Sequence, residues 1–514
     1  PSKRGFDSFI PCQFLSGNMC GILLVKSKTE IPIWKHLSAL ETLKSRGPDS
    51  TRYRYQNNIF IAQVVLHITG TNDYYITPHD NFLAYNGEIY NYQDFGPRTI
   101  GKYSNDIQFV DHAVHHNVKK LAQGWGPWAW AWTDNTTVRY AADPQGEKTL
   151  YQYQDKDILI VCSEVAPILE YIDAVKIPHP YVNKNWGTLD TTPWNGITRV
   201  TPGMQYINGA VAEEIDSIYN WIGTPIHRNI NEAYEDFSSV WSKVTGLMTP
   251  TCSAGLTYSG GLDSSIILNS IDNLKLYAVN NTGKDPIVDK LESFLTKEEY
   301  NRLVVSDISE SQWLAEYKEM LARICMPAGS WSFVGQWIVN KSCEQRVLFT
   351  GAGADELFGG YQVYKTLDYN SSGSASPYSK HSDPGMWNNC LTAYNGDYRQ
   401  ATLLMDYWHQ ITGVDCRGID LIGGSFGIEA RNPFLAKPIM QLALNLPFDL
   451  KVSDVSKPVI RKAFLERWTE DFIFEKKGFT GHANDSFPLF ESTGDRMADW
   501  KTIAKESFYE GKHI

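Results

Sequence analysis

Two stretches of this chain carry residues whose types and spacing could handle a polyphosphate. In "TYSGGLDSSIIL", residues 257–268, an apolar run ends in Ser259-Gly260-Gly261 and gives way to Asp263-Ser264-Ser265. Missing side chains at the glycines let backbone N–H groups approach an anion, and a helix opening near Asp263 turns its positive end toward the same place. A bare Gly-Gly would read as an ordinary strand-to-helix turn; the flanking Ser and Asp-Ser-Ser point to a phosphate or pyrophosphate loop. No Gly-x-x-x-x-Gly-Lys-Ser/Thr occurs, so this is not a Walker loop. In "LFTGAGADELFGGY", residues 348–361, a second apolar run ends in glycines, now with adjacent acids Asp355 and Glu356. Beside a polyphosphate, carboxylates are natural Mg²⁺ ligands, because that ion takes one or two of them together with phosphate oxygens. A third residue, Cys20, heads the β-branched run "CGILLV" just after Met19, where a buried strand cysteine is the plain alternative to a nucleophile.

The elements that must position these residues fall into two halves. From Met19 to about Trp221 the chain reads as short strands, "CGILLV", "NIFIAQVVLHI", "NFLAYNGEIY", "WAWAWTD", "TVRYAAD" and "DILIVCSE", broken by Asn, Asp and Gly, with one helix over "DIQFVDHAVHHNVKKLAQ". Two layers of sheet would bury both faces of such strands. After the polar stretch "GTPIHRNINEAYEDF", helical segments such as "SQWLAEYKEMLARI" and "KPIMQLALNL" alternate with apolar runs such as "KLYAVN" and "RVLFTG", the pattern of a parallel sheet covered by helices. The Ser/Gly/Pro-rich stretch 370–385 is read as a long loop of the functional or mobile kind. A chain of 514 residues with 42% apolar content is long enough for two or three cores. Its net charge of −11 argues against a nucleic-acid surface, and no run of apolar residues reaches the length of a membrane span. The eight cysteines are scattered without Cys-x-x-Cys or zinc spacing, which predicts free thiols and a cytoplasmic location. The pair His115-His116 is expected on a solvated helix face.

The loop at 257–268 resembles the pyrophosphate loop of the ATP pyrophosphatases. Together with "GAGADELFGGY", "GIEARNPFL" (427–435), "SKPVIRKAF" (456–464) and "FEKKGF" (474–479), it is similar to the synthetase domain of the class B, glutamine-dependent asparagine synthetases, which adenylate a side-chain carboxylate with ATP. The resemblance implies that Ser259, Gly260, Gly261, Asp263, Ser264 and Ser265 hold ATP phosphates, that Asp263 and Asp355 are magnesium ligands, and that Val279 and Gly351 lie near the adenine. It makes Lys457 the catalytic lysine on the α-phosphate and departing pyrophosphate, and Glu429 a catalytic carboxylate. In the first half, "RGPD" (46–49), "YNGEIYN" (85–91), "NDIQ" (105–108) and "DPQGEKTLYQY" (143–153) resemble the glutaminase domain of class II amidotransferases, which begins with Cys-Gly-Ile. That implies an α-β-β-α sandwich of the N-terminal nucleophile type in residues 20–222, ahead of a parallel-sheet α/β nucleotide-binding domain with many helices in 223–514. Cys20 would attack glutamine, Arg46 would pair with its carboxylate, Glu88 and Asp106 would hold its α-amino group, and Asn86 with the Gly87 N–H would form an oxyanion hole. Sugar-phosphate and purine-pathway amidotransferases share the first half without "SGGLDSS"; GMP and NAD synthetases share the loop without this N-terminal half.

The departures from the family pattern concentrate on the acceptor. Ala352 and Ala436 stand where acids are usual, Cys325-Met326-Pro327 replaces an acidic segment, and a stretch usually reading His-Glu-Arg-Leu is here Gln63-Val64-Val65-Leu66. The expected reaction is amidation of aspartate with ammonia from glutamine, using ATP and Mg²⁺, with no nucleic acid or membrane partner and with a homodimer left open. Amidation of another carboxylic acid in a natural-product or nucleoside pathway is the alternative, and a silent paralogue with a binding role is a third reading.

A class II glutaminase uses the α-amine of its cysteine as base. An amine of pKa near 8 suits proton transfer near neutrality, whereas a peptide nitrogen is no base. Met19 therefore reads as the initiator and residues 1–19 as an upstream extension or propeptide. Intact-mass measurement on protein that turns over glutamine is expected to give a chain beginning at Cys20; full glutaminase activity from unprocessed chain would refute this.

Overall fold

A run as apolar as Cys20 to Val25 needs cover on both faces, and the fold supplies it. In the computed structural model, which describes residues 19–68, 81–96, 103, 105–172, 192, 194–225, 229–281, 287–326, 332–367 and 383–470, strand β1 (Met19–Ser27) lies in the middle of a six-stranded sheet. Ile22 and Leu24 point into the layer between two sheets, while Leu23 and Val25 pack outward with Ala39 and Leu40 of helix α1 (Ile33–Glu41). The order of the first sheet is β2 (Ser50–Gln56), β3 (Ile59–Leu66), β1, β8 (Ile158–Cys162), β7 (Tyr151–Gln154), β9 (Ile197–Arg199), with antiparallel pairing throughout. Facing it is a five-stranded antiparallel sheet, β11 (Ala210–Glu214), β10 (Met204–Ile207), β6 (Val138–Ala142), β5 (Trp128–Thr133), β4 (Phe82–Gly87). Helix α2 (Asp106–His116) covers its outer face through Phe109, Val110, Ala113 and Val114 against Trp128, Trp130 and Trp132. With the short helix α3 (Ala166–Leu169) after β8, this is the expected α-β-β-α sandwich.

The second half is a five-stranded parallel sheet in the order β14 (Leu303–Ile308), β13 (Lys275–Asn281), β12 (Ala254–Thr257), β15 (Val347–Phe349), β16 (Glu429–Arg431). Helix α4 (Ile230–Met248) precedes it, started by Asn229, whose side chain accepts from the N–H groups of Asn231 and Glu232. Helix α5 (Leu262–Ser270) follows β12 directly. No helix among the described residues is long and apolar enough to cross a membrane, and the seven described cysteines form no disulfide.

Two sequence expectations change. The helix expected to continue to Gln123 stops at Asn117, which is extended at φ −162° and whose side chain accepts from Lys119 N–H, opening a separate 3₁₀ turn. His115 is not on a solvated face: it is half-buried, with ring nitrogens on the Asp111 carbonyl, Asn81 and the Trp132 N–H. The stretch 370–385 lies outside the described residues except at its end, where Asp383 caps the helix Pro384–Ala393.

The halves meet through buried charge. Arg46, fully buried, donates to Glu164 Oε1 at 3.2 Å and to Asp420 Oδ1 at 2.8 Å, the latter on the helix Cys416–Phe426 of the second half. Asp420 also accepts from Thr149 Oγ1 at 2.7 Å and has Lys148 Nζ 3.7 Å away. Farther along, Asn432 Nδ2 donates to Glu147 Oε2 at 2.8 Å and Arg199 to the Thr412 carbonyl at 2.6 Å. Burial alone would raise the Asp420 carboxyl; Arg46 and Lys148 reverse this and hold it below its ordinary range. Its contribution to stability is thus present at neutral pH and lost as the pH falls through that depressed value. Replacing Arg46 by Met removes the nearest cation of two buried carboxylates, leaving Asp420 with Lys148 and Glu164 with Arg323 at longer range, and is expected to cost about 3 kcal/mol in denaturant unfolding. Adding Asp420→Leu should recover part of the loss, and additive losses in that double variant would contradict the pairing.

Candidate active site

Cys20 is fully buried at the edge of the sandwich, paired with Val65 across β1 and β3. Its backbone N–H donates to Asn86 Oδ1 at 3.0 Å, which fixes the amide's orientation and leaves Asn86 Nδ2 buried with no partner among the described residues. An unsatisfied buried donor is costly and needs an explanation; an incoming oxygen would satisfy it. Gly87 follows at φ +146°, and a Cβ there would lie 2.2 Å from the Pro127 carbonyl oxygen, so only glycine lets β4 run this close to β5. Burial pushes the Cys20 thiol up to about 11, against the opposing effects of Gln63 and Arg52.

Glu88 and Asp106 are neighbours. Asp106 accepts from Tyr85 OH at 2.9 Å and Ile89 N–H at 3.1 Å. Burial moves Asp106 up to about 6 and Glu88 up to about 8, the latter against Arg431 and with further repulsion from Asp106 and Glu429. A concentration of acids this strong favours a cationic guest such as an ammonium group. Arg46 does not join them. Its guanidinium is held by Glu164, Asp420 and the carbonyls of Cys20 and Asp420, so that Arg46, expected to pair with a substrate carboxylate, stands here as a fully buried tie between the halves.

The second constellation sits at the carboxyl ends of β12 and β15, where ligands of open parallel sheets bind. Ser259, Gly260 and Gly261 form the turn into α5, drawn together by bonds from Ser264 Oγ to the Gly261 carbonyl at 3.2 Å and from Gly261 N–H to Ser259 Oγ at 3.3 Å. Ser265 is not part of this loop surface: it is fully buried, with its hydroxyl 3.5 Å from Tyr258 OH. Lys457 Nζ lies 2.6 Å from both oxygens of Asp263 and 2.7 Å from Asp355 Oδ1. Burial would lower this ammonium, but the two carboxylates more than offset it and raise it. Glu356, Asp355's neighbour, is turned away, buried and accepting from Tyr361 OH at 2.5 Å. Gly351 backs onto Asp263, where a Cβ would come within 2.9 Å of that residue's own, and Val279 is buried on adjacent β13. The segment 474–479 lies outside the described residues.

Between the constellations stands Arg431, which sequence reading passed over although it lies inside "GIEARNPFL". It donates through Nε to Glu429 Oε1 at 2.8 Å and through a terminal nitrogen to Glu88 Oε2 at 3.1 Å, with its guanidinium 5.4 Å from the Tyr90 ring centre. Glu429 Oε2 is buried and has no hydrogen-bond partner among the described residues. One arginine thus joins an acid of the sandwich to an acid at the end of the parallel sheet.

Comparison with known proteins assigns both halves. The family profile described as "Asparagine synthase" matches residues 244–513, more than half of the chain. The chain belongs to the asparagine synthase family. A second profile, "Glutamine amidotransferase domain", matches residues 19–219. Among curated asparagine synthase relatives, the glutamine-hydrolysing asparagine synthetase 1 of Bacillus subtilis is 24% identical over 68% of this chain, which spans 60% of that protein's length. The glutamine-hydrolysing asparagine synthetase of Mus musculus is 23% identical over 95% of this chain and 90% of its own. Among solved structures, the glutamine phosphoribosylpyrophosphate amidotransferase of B. subtilis gives a TM-score of 0.27 at 16% identity over 46% of this chain and 60% of that one, too slight a likeness to bear on the fold.

Gly360 keeps the lysine bridge of this family member in place, since a Cβ there would fall 1.8 Å from Asp355 Oδ1 and 2.3 Å from Lys457 Cε. Gly360→Ala is expected to destabilise the fold by about 1–3 kcal/mol in denaturant titration. By displacing the bridge it should also reduce ATP-dependent turnover about a hundredfold. Unchanged turnover would show that the bridge plays no part in the chemistry.

Proposed function

We propose that the protein is a glutamine-dependent asparagine synthetase: residues 20–222 release ammonia from glutamine, and residues 223–514 pass it to an aspartyl adenylate made from ATP. The observation that carries this reading is the pair of constellations in one chain, a buried cysteine beside an unsatisfied amide donor and a lysine clamped between two aspartates at a glycine-rich loop.

In the first half, the Cys20 sulfur attacks the side-chain amide carbon of glutamine. The thiol proton passes to the α-amine that Cys20 carries once it is the first residue, and from there to the departing nitrogen, which leaves as ammonia. Asn86 Nδ2 and the Gly87 N–H receive the charge developing on the carbonyl oxygen. Glu88 and Asp106 hold the substrate's ammonium group. Water then releases glutamate from the thioester.

In the second half, the turn at Ser259 to Gly261 and Ser264 takes the pyrophosphate portion of ATP, with Val279 and Gly351 toward the base. Asp263 and Asp355 fit a magnesium ion, because their carboxylates already converge within bonding distance of a single cation, Lys457 Nζ. When bound, that ion would offset phosphate charge. Lys457 stabilises the charge that grows on the α-phosphate and pyrophosphate as the aspartate carboxylate attacks. Ammonia then attacks the acyl carbon, AMP leaves, and the proton lost from nitrogen has a ready acceptor in the open oxygen of Glu429. Glutamine, aspartate and ATP are the small-molecule partners of this reading and the cytoplasm its compartment.

Amide synthesis measured with glutamine and with ammonium, for aspartate among a panel of carboxylic acids, tests the assignment. Cys20→Ala is expected to abolish the glutamine-dependent reaction and spare the ammonium-dependent one. Asp263→Asn should lose synthesis with either nitrogen source while keeping some glutaminase activity. A folded Cys20→Ala protein that is dead with ammonium would contradict the division of labour, and turnover with another acid but not aspartate would transfer the function to the other amide ligase.

A further inference from the structure

Parallel strands β15 and β16 pair Phe349 with Arg431, so the residues that leave the sheet next, Thr350 and Asn432, stand side by side at its carboxyl end. Asn432 is buried there, and a buried amide is tolerated only when its donors and acceptor are used. The Thr350 hydroxyl accepts from the Ala352 N–H at 3.3 Å and gives its own proton to Asn432 Oδ1 at 2.5 Å. With its oxygen engaged on that side, the amide turns Nδ2 across the junction, where it donates to Glu147 Oε2 at 2.8 Å. Glu147 is held in turn. The Asp143 carboxylate accepts from the backbone N–H groups of Glu147 at 3.0 Å, Lys148 at 2.9 Å and Trp128 at 3.3 Å. One hydrogen-bonded line thus runs from a fixed turn of the sandwich, through two side chains, to a backbone amide of the parallel-sheet half. That amide belongs to the loop between β15 and the helix Ala354–Phe358, which carries Asp355. In the same loop Gly351 backs onto Asp263, and Gly353, at φ +86°, has no room for a Cβ against Leu435. Packing sets the flanks of the loop, and the Thr350 hydroxyl ties its backbone.

We propose that Glu147, acting through Asn432 and Thr350, is a positioning residue for the ATP site: an acid of the glutamine half sets the loop that presents Asp355 to Lys457 and the nucleotide. This placement rests on the ATP site assigned above to residues 223–514. Glu147, Asn432 and Thr350 act on the chemistry only through the loop backbone, and the line moves no proton. Its consequence is specific. Synthesis from free ammonium makes no use of the glutamine site, yet it depends on a side chain from that half. Asp355 lies 2.7 Å from Lys457 Nζ, so a small displacement of the loop is felt directly at the lysine bridge.

The test is pyrophosphate release by the full chain with ammonium as nitrogen source and the carboxylic acid that the wild type turns over, read as kcat/KM for ATP beside glutaminase kcat and melting temperature. Thr350→Val keeps the shape and removes the hydroxyl, so kcat/KM for ATP should fall about tenfold to a hundredfold, the range expected for a misplaced site. Glutaminase kcat should stay as it was, which a general loss of structure would not allow. Thr350→Ser should restore most of the loss. Glu147→Met should lower the same constant about tenfold, whereas Glu147→Gln, whose amide oxygen still accepts from Asn432, should stay near wild type. Because both cuts break one line, the double variant Thr350→Val/Glu147→Met should lose little more than Thr350→Val alone. If Glu147→Met does not fold, Asn432→Leu, which breaks the line at the junction, decides. A folded Thr350→Val, Glu147→Met or Asn432→Leu protein with wild-type kcat/KM for ATP overturns the positioning role, as do equal losses in the Ser and Gln variants. Wild-type protein that releases no pyrophosphate with any carboxylic acid overturns the ATP-site assignment and the positioning role with it.

Discussion

Everything in this fold that approaches chemistry depends on one constraint: charges removed from water must find partners, and here they find them in the other half of the chain. Arg46 leaves the sandwich to meet Asp420, and Arg431 leaves the parallel sheet to meet Glu88. Each also keeps an acid of its own half, Glu164 for Arg46 and Glu429 for Arg431, so both arginines bridge two carboxylates across the junction. In exchange, the two sheets are held in a defined relation, with the edge of the sandwich that bears Cys20 turned toward the strand end that bears Glu429. The Coulombic influence of Glu429 on the Cys20 thiol expresses that proximity.

The same constraint decides the shape of each site. Asp263 and Asp355 come from different loops, and two carboxylates brought together repel; Lys457 is the cation that lets them converge. To reach them it takes a left-handed backbone conformation, φ 51°, at the start of its helix, uncommon for a residue with a side chain. Glycines at 351 and 360 clear the space on either side. Across the interface the acids outnumber their cations: Glu88 and Asp106 lie close together with Glu429 near Arg431, and the repulsion among them, which helps hold Glu88 well above the usual carboxylate range, suits a site that an amine can enter.

Much of this was legible in the sequence, and for identifiable reasons. Continuous apolar runs such as that from Cys20 to Val25 announce strands covered on both faces, and Ser259-Gly260-Gly261 followed by an acid announces an anion-binding turn. Strands such as β2, written "STRYRYQ", and β16, only three residues long, gave little periodic signal. The tie from Arg46 to the second half was not legible because a short motif says which residue is special without saying which way it faces; its partner Asp420 lies 374 residues away with no local signature. Arg431 had a signal, a basic residue two positions after the acid Glu429 in a short, mostly apolar motif, whose meaning needed the tertiary fold. Ser265 was carried along by adjacency, though a helix turns successive residues through 100° and points the last serine of the motif into the core.

The interdomain charge pairs also bear on how such a chain can change over generations. A sandwich whose arginines and acids did not meet these counterparts would strand a charge in the interior at every mismatch. An exchange of halves at the junction near residue 225 therefore has to preserve these pairs, even though the two halves look like separable modules, and a change at Arg46, Glu88, Asp420 or Arg431 is a change to a partner in the other half as well.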